Sequence, residues 1–291
     1  MPNTHQEHPE DLLLTGETWP VDAMFDSESL ISLKIDGCPA VVFGTHPETG
    51  KFFVGTKSVF NKRLIKINYT HDDIIRNHKQ PELQQVLTAC LDNLPRVSGI
   101  FQGDFIGFGG GDVYTPNTLT YRFPSVVTED IIMAPHTEYY VPGKMCDAQA
   151  QPLLEELEGS DTCLFVQPMV DRIPLDDPWH IDTTKVNFLT AKEATAAKVA
   201  INAIIREGKD LDVDTLTGII GDVQLAHLYK LVMILKGEVL KRTITYFAPK
   251  VYLAGKEVLG EGLVFNTECG SFKVVDRAQF AYANFNQGKF A

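Results

Sequence analysis

No apolar run in this 291-residue chain approaches the roughly 20 residues that a helix needs to cross a bilayer, so no membrane role is expected. The polar, acidic start from Met1 to Asp11 lacks the basic residues and apolar stretch of a secretory signal. Cysteine is scarce: Cys38, Cys90, Cys146, Cys163 and Cys269 are scattered, with no Cys-x-x-Cys pair. An odd, dispersed set argues against a disulfide framework or a cysteine zinc site and for reduced thiols in a cytoplasm. Positive charge is short too, with 26 Lys and Arg against 38 Asp and Glu, a net charge of −12. That balance counts against a general nucleic-acid coat, because neutralising phosphate needs lysine and arginine. No internal repeat or low-complexity segment stands out. What remains is ordinary: 44% hydrophobic and 22% charged residues, enough chain to bury a full core as one large domain or two small ones.

The stretch with the most chemistry is Ser32-Leu33-Lys34-Ile35-Asp36-Gly37. Apolar, partly β-branched residues flank it (Leu30, Ile31 and Leu33 before; Ala40 to Phe43 after), which reads as two strands meeting at a tight junction. A lysine whose stem is packed there loses its proton more easily than a free one, since desolvation disfavours the ammonium. Such an amine can act as a covalent nucleophile. On its own, Lys-x-Asp-Gly is too short to choose this reading, and a surface lysine beside a turn aspartate is the preferred one. A second feature is local charge. Lys51, Lys57, Lys62, Arg63 and Lys66 crowd one stretch with Phe52, Phe53, Phe60 and Tyr69 interleaved. A basic, aromatic-studded patch on an acidic body suits a polynucleotide track or a triphosphate entrance, and equally a solvated strand face.

Along the chain, residues 1–25 read as a loosely ordered lead-in. Strands are expected at 30–33, 40–43 and 51–54, with a Pro- and Gly-containing turn before the last. Residues 72–93 read as helix, apolar along Ile74, Ile75, Leu83, Val86, Leu87 and Leu91, and divided at Pro81. Residues 97–108 read as a strand running into a glycine-rich hairpin tip. Its spacing fits neither a P-loop nor a dinucleotide fingerprint. Further strands are expected at 119–127, 131–141 and 162–170, with a short helix at 153–157. Helices at 191–207, 214–223 and 224–237 form a block between strand-rich halves, and strands resume at 243–247, 250–253, 262–266 and 271–275. The expected organisation is a lead-in (1–25), a core (26–186 and 243–291) and a helical insertion (187–242).

Two later stretches give Lys34 its context. Gly260-Glu261-Gly262-Leu263-Val264-Phe265 precedes Ser271-Phe272-Lys273-Val274-Val275, and Gln102-Gly103-Asp104 lies between them and Lys34. In this order, the motifs resemble those of the covalent nucleotidyltransferase superfamily: ATP-dependent DNA ligases, RNA ligases and mRNA capping enzymes. The resemblance runs from about residue 30 to about residue 277. It implies an α+β fold, an ATP-grasp-like adenylation domain of antiparallel sheets flanked by helices. The fifth motif ends close to the C-terminus, leaving no room for the OB-fold domain of DNA ligases and capping enzymes. The chain is therefore placed nearest the phage-type RNA ligases, with phage-infected host cytoplasm as one setting.

The resemblance also implies roles. Lys34 is the nucleophile that takes AMP from ATP. Glu261 and Asp104 are the metal-associated carboxylates for Mg2+ or Mn2+, with Asp36 and Gly37 completing the first motif. Lys273 contacts the α-phosphate, and Lys57 contacts ribose or phosphate. Phe123 stacks on the base, with Tyr121 as the second choice. The expected partners are ATP and an RNA or nicked nucleic-acid acceptor. Two positions depart from the family pattern: Asp104 is shorter than the usual glutamate, and Val275 stands where a second lysine is usual, with Arg277 nearby. A nucleotide-binding but non-catalytic or virion-associated protein, or a nucleotidyltransferase using another acceptor, is the alternative.

Overall fold

The computed structural model describes residues 6–173, 175 and 183–280. From the N-terminal side come α1 (Pro9–Leu13) and α2 (Trp19–Phe25), then β1 (Leu30–Lys34), β2 (Ala40–Thr45) and β3 (Phe52–Gly55). A 3-10 turn at Lys57–Phe60 leads to α3 (His71–Asn77) and α4 (Pro81–Asn93). Strands β4 (Ile100–Phe108), β5 (Val113–Tyr114), β6 (Leu119–Arg122) and β7 (Ile131–Tyr140) follow. After them come β8 (Gln149–Pro152), β9 (Cys163–Phe165) and β10 (Met169–Arg172). Three helices, α5 (Ala191–Arg206), α6 (Val213–Ile220) and α7 (Val223–Lys241), interrupt the strands. The last elements are β11 (Thr243–Tyr246), β12 (Lys250–Leu253), β13 (Lys256–Val258), β14 (Gly262–Thr267) and β15 (Gly270–Val275). The architecture is α+β with mostly antiparallel sheets. No described helix is long and apolar enough to cross a membrane.

Two compact units share these elements. The first comprises Ile35–Gln167 and Phe247–Tyr252. Its main sheet runs β3-β2-β4-β7-β8, with β9 parallel to β7. Alternation along β2 sends Val41 and Phe43 to one face, where they meet Ile74 of α3 and Val86, Leu87 and Cys90 of α4. Val42 goes to the other face, with Phe53, Phe60, Ile100 and Tyr139. Both faces being covered explains the unbroken apolar run from Ala40 to Phe43. Pro81 opens α4 at its first turn, where no amide hydrogen bond is lost, and a Thr70/Asp73 capping box starts α3. Ile75, expected on the buried side, is 62% exposed, because α3 ends before its register matches that of α4.

Three further expectations in this unit are corrected. The glycine-rich segment after β4 is not a hairpin tip: β4 pairs with β2 and β7, while β5 pairs with β6. The glycines carry the chain from one sheet to another, and a Cβ on Gly109 would lie 1.6 Å from the Glu129 carbonyl oxygen. The helix expected at 153–157 is irregular chain after β8, held by Leu153 N donating to His136 O and Leu157 N to Gln167 Oε1. Residues 119–127 give only the short β6, since Pro124 cannot donate to a ladder.

The second unit comprises Gln6–Lys34, Pro168–Tyr246 and the chain from Leu253 on. It holds an antiparallel sheet in the order β1-β14-β15, the β10–β11 pair, and helices α1, α2 and α5–α7. The break at Pro168 splits the strand expected over 162–170 into β9 and β10. The lead-in expected over 1–25 instead carries α1 and α2 (residues 1–5 lie outside the described residues), and its acidic residues are buried. Glu10 accepts from Lys236 of α7 at 2.6 Å and from Arg277 at 3.3 Å. Asp11 accepts from Arg277 and from the Tyr229 hydroxyl, both at 2.9 Å, and Arg277 also donates to Asn202 of α5 at 2.8 Å.

Removing one partner from such a network leaves a buried charge uncompensated, which costs about 3–5 kcal/mol. Arg277→Leu is therefore expected to lower the free energy of unfolding, measured by urea denaturation, by that order. A loss below about 1 kcal/mol, the level of exposed pairs, would show that the network contributes little.

Candidate functional site

In the second unit, strand register decides which motif residues meet. Lys34 pairs with Gly262, and Val264 with Lys273. Paired residues point to the same face, and side chains alternate along each strand. Leu33, Leu263 and Val274 consequently share the buried face, while Lys34, Val264 and Lys273 share the other. Glu261, the residue before β14, receives a hydrogen bond and ion pair from Lys34 Nζ through its Oε2. The two side chains are only 24% and 17% exposed. Gly262 has a positive φ of 151°, and a Cβ there would lie 2.2 Å from the Val274 carbonyl oxygen. The glycine of Glu-Gly-Leu-Val thus lets β15 approach closely behind the acid.

Burial pushes the Lys273 amine below its ordinary value, and the neighbouring Lys34 charge adds to the shift, against the opposing pull of Glu261. The site gathers the Lys34 and Lys273 amines around Glu261, with the Glu7 carboxylate also acting on Lys273. Val275, where the nucleotidyltransferase resemblance would call for a second lysine, is 4% exposed and shares the face of Lys273. Arg277 does not supply the missing cation here, being committed to Glu10 and Asp11.

The rest of the first motif belongs to the first unit. Gly37 N donates to Asp104 Oδ2 at 3.3 Å, and a Cβ on Gly37 would come within 2.5 Å of the Phe105 carbonyl oxygen. Only glycine fits that crossing of β4. Asp104 sits opposite Ala40 on β4, and its Oδ1 lies 3.7 Å from His136 Nε2 of β7. The Tyr121 hydroxyl accepts from Asp36 N at 2.9 Å and donates to Asp36 O at 2.8 Å, and Asn117 Nδ2 donates to the Asp36 carboxylate. Phe123 follows β6, half-buried and edge-on to Tyr114 at 5.6 Å between ring centres. Lys57 is exposed at the start of its 3-10 turn.

His136 and Asn117 were missed because isolated polar residues carry no motif. Tyr121 was named for stacking on a base, whereas here its hydroxyl clamps the backbone of the motif.

Among the described residues, no group of three or more His, Cys, Asp or Glu side chains could hold a metal ion. Glu261 and Asp104 belong to different units, and Glu261 is already beside an ammonium.

A family model described as "Family of unknown function (DUF6267)" matches residues 3–217. The chain belongs to this family. No curated protein and no solved structure matches it. The DUF6267 match takes in Lys34, Asp36, Gly37, Lys57, Asp104 and Phe123, whereas Glu261 and Lys273 lie beyond it.

Replacing Tyr121 with Phe would remove both of its hydrogen bonds to the Asp36 backbone. A fully buried amide left without its partner costs about 1–3 kcal/mol, and the half-buried Asp36 amide falls toward the lower end. Tyr121→Phe is therefore expected to lower stability by that order in chemical denaturation. Wild-type stability in the variant would mean that the turn is held by other contacts.

Proposed function

We propose that this chain is a lysine-adenylating nucleotidyltransferase, an ATP-dependent polynucleotide ligase of the RNA type on an ATP-grasp-like adenylation fold. One observation carries the reading. Lys34 and Glu261, 227 residues apart in sequence, are hydrogen-bonded, and Lys273 lies on the same sheet face as Lys34. These are the residues that the resemblance names as nucleophile, acid and phosphate-contacting cation.

The chemistry follows from their arrangement. Lys34 Nζ, as the neutral amine, attacks the α-phosphorus of ATP. The new N–P bond forms as the bond to the bridging oxygen breaks, and pyrophosphate leaves with that electron pair. Nζ must shed protons to react, and Glu261 Oε2 is placed to take one. Lys273 is destabilised as an ammonium chiefly by burial, so negative charge on the α-phosphate relieves it at the moment it is needed. Magnesium held on the triphosphate with Glu261 in support would neutralise phosphate charge.

A second reading, a nucleotide-binding protein that does not turn over, is favoured by one specific observation: Val275 stands where the family carries its second lysine, and Arg277 is engaged elsewhere. Incubation with ATP and magnesium followed by intact mass separates the two. An added AMP, acid-labile, base-stable and mapped to Lys34, is the expected result. It should vanish in Lys34→Ala and in Glu261→Ala, and persist in part in Lys273→Arg, where charge survives though its geometry changes. No adduct on wild type, or one on another residue, overturns the enzymatic reading.

A further inference from the structure

The first unit contains a groove of about 540 Å³ lined by Lys51, Phe52, Tyr69, Thr70, His71, Leu91, Asp92 and Arg96. That is the size of a small-ligand site. Its walls combine cations with part-buried aromatic rings: the Arg96 guanidinium lies 4.2 Å from the Phe52 ring centre, and Lys51 Nζ lies 6.0 Å from that of Tyr69. Asp92, the acidic lining residue, is paired with His71 at 2.7 Å.

The strand pairing explains how this groove forms. Val54 and Asn68 exchange two backbone hydrogen bonds, at 3.0 and 3.1 Å, so residues 55–67 fold back as a closed loop between Phe52 and Tyr69. The exposed Lys57, Lys62 and Arg63 are carried on that loop. Arg96, more than twenty-five residues later in sequence, comes from the segment after α4 and completes the basic wall. In a chain with net charge −12, cations gathered around aromatic faces select an anionic ligand with planar groups. The loop begins three residues after the lining Phe52 and ends two before the lining Tyr69, so its cations are tethered to the groove at both ends.

We propose that this groove binds a single-stranded polynucleotide, with a base against Tyr69 and Phe52 and the backbone phosphates on Lys51, Arg96 and the 55–67 loop. Calling that strand the acceptor of AMP rests on the ligase reading; the binding itself does not.

The test is fluorescence anisotropy with end-labelled RNA and DNA of the same sequence, about 12 nucleotides long, over a salt series starting at about 50 mM. Wild type is expected to bind both. Lys51→Glu with Arg96→Glu should weaken binding at least about tenfold and flatten the log–log salt slope by roughly 0.7 for each lost phosphate contact. Tyr69→Ala should weaken binding about tenfold with the slope kept, because stacking releases no counterions. Lys144→Glu with Lys192→Glu, a charge-matched pair at exposed positions off the groove, should bind as wild type. Lys51→Gln with Arg96→Gln provides a milder version should the reversals perturb folding.

The proposal is overturned if groove variants bind as wild type, if the control pair loses as much, or if wild type binds neither strand. Free ATP competing as well as the oligonucleotide would make this a mononucleotide site and also overturn it. Self-adenylation of Lys34, followed on the same samples, should persist in the groove variants. Its absence from wild type would count against the ligase reading while leaving the binding result standing.

Discussion

The pairing of β1 with β14, and of β14 with β15, is the constraint on which the candidate chemistry depends. Side chains on a strand alternate with a period of two, so a slip of one residue would send Lys34 into the buried layer and Leu33 out of it. Leu33, Leu263, Phe265, Phe272 and Val274 fix the register because their burial is incompatible with any odd shift. Phe265 stacks on Phe272 at 4.9 Å, with Trp19 edge-on to Phe272 at 5.5 Å. The apolar side of this sheet is therefore what places the lysines on the other side. The Lys34 amine is positioned here by packing, and its ion pair with Glu261 adds the final orientation.

Charge is arranged in two ways within the same unit. On the lysine face, Lys34 is paired with Glu261 at partial exposure, and Lys273 feels both Glu261 and Glu7. Beneath α1 and α7, by contrast, Glu10, Asp11, Lys236 and Arg277 form a buried set with opposite signs matched and hydrogen-bonded. Both include or adjoin the C-terminal end of β15, where Lys273 and Arg277 are four residues apart in sequence. They are nevertheless assigned to different environments, because the strand ends at Val275 and frees Arg277 to turn toward α1. The departure from a Lys-x-Lys pattern is thus more than a missing cation. The next available cation is spent on holding α1.

Much of this was legible in the sequence where the signal was local. The helix break at Pro81, the strands around Lys34 and the helices after Ala191 all follow from proline position and hydrophobic period. Legibility failed where a residue's role was set by a distant partner. Asp11 reads as part of a polar N-terminal stretch until Arg277 is known to reach it. Ile75 reads as a core residue until α3 ends two residues later. The glycines after Phe108 suggest a tight turn, whereas Gly109 is needed because the backbone at Glu129 passes against it. The motif residues were found by their order along the chain. The groove at Tyr69 needed Arg96, which no spacing rule connects to the basic stretch before it.

The extent of the family match can be weighed against the same physics. It ends at residue 217, inside α6. β1 lies within the match, yet its hydrogen-bonded neighbour in the sheet order is β14, which lies outside it. Glu10 and Asp11 also lie within it, while Lys236 and Arg277, which neutralise them, lie beyond. Two buried carboxylates without these cations, and an apolar strand without its ladder, would each cost several kcal/mol against a total stability of about 5–15 kcal/mol. The matched segment cannot carry its own second unit. The physical folding unit of this chain extends through β15 to Arg277, and with it the residues Glu261 and Lys273 that complete the lysine site.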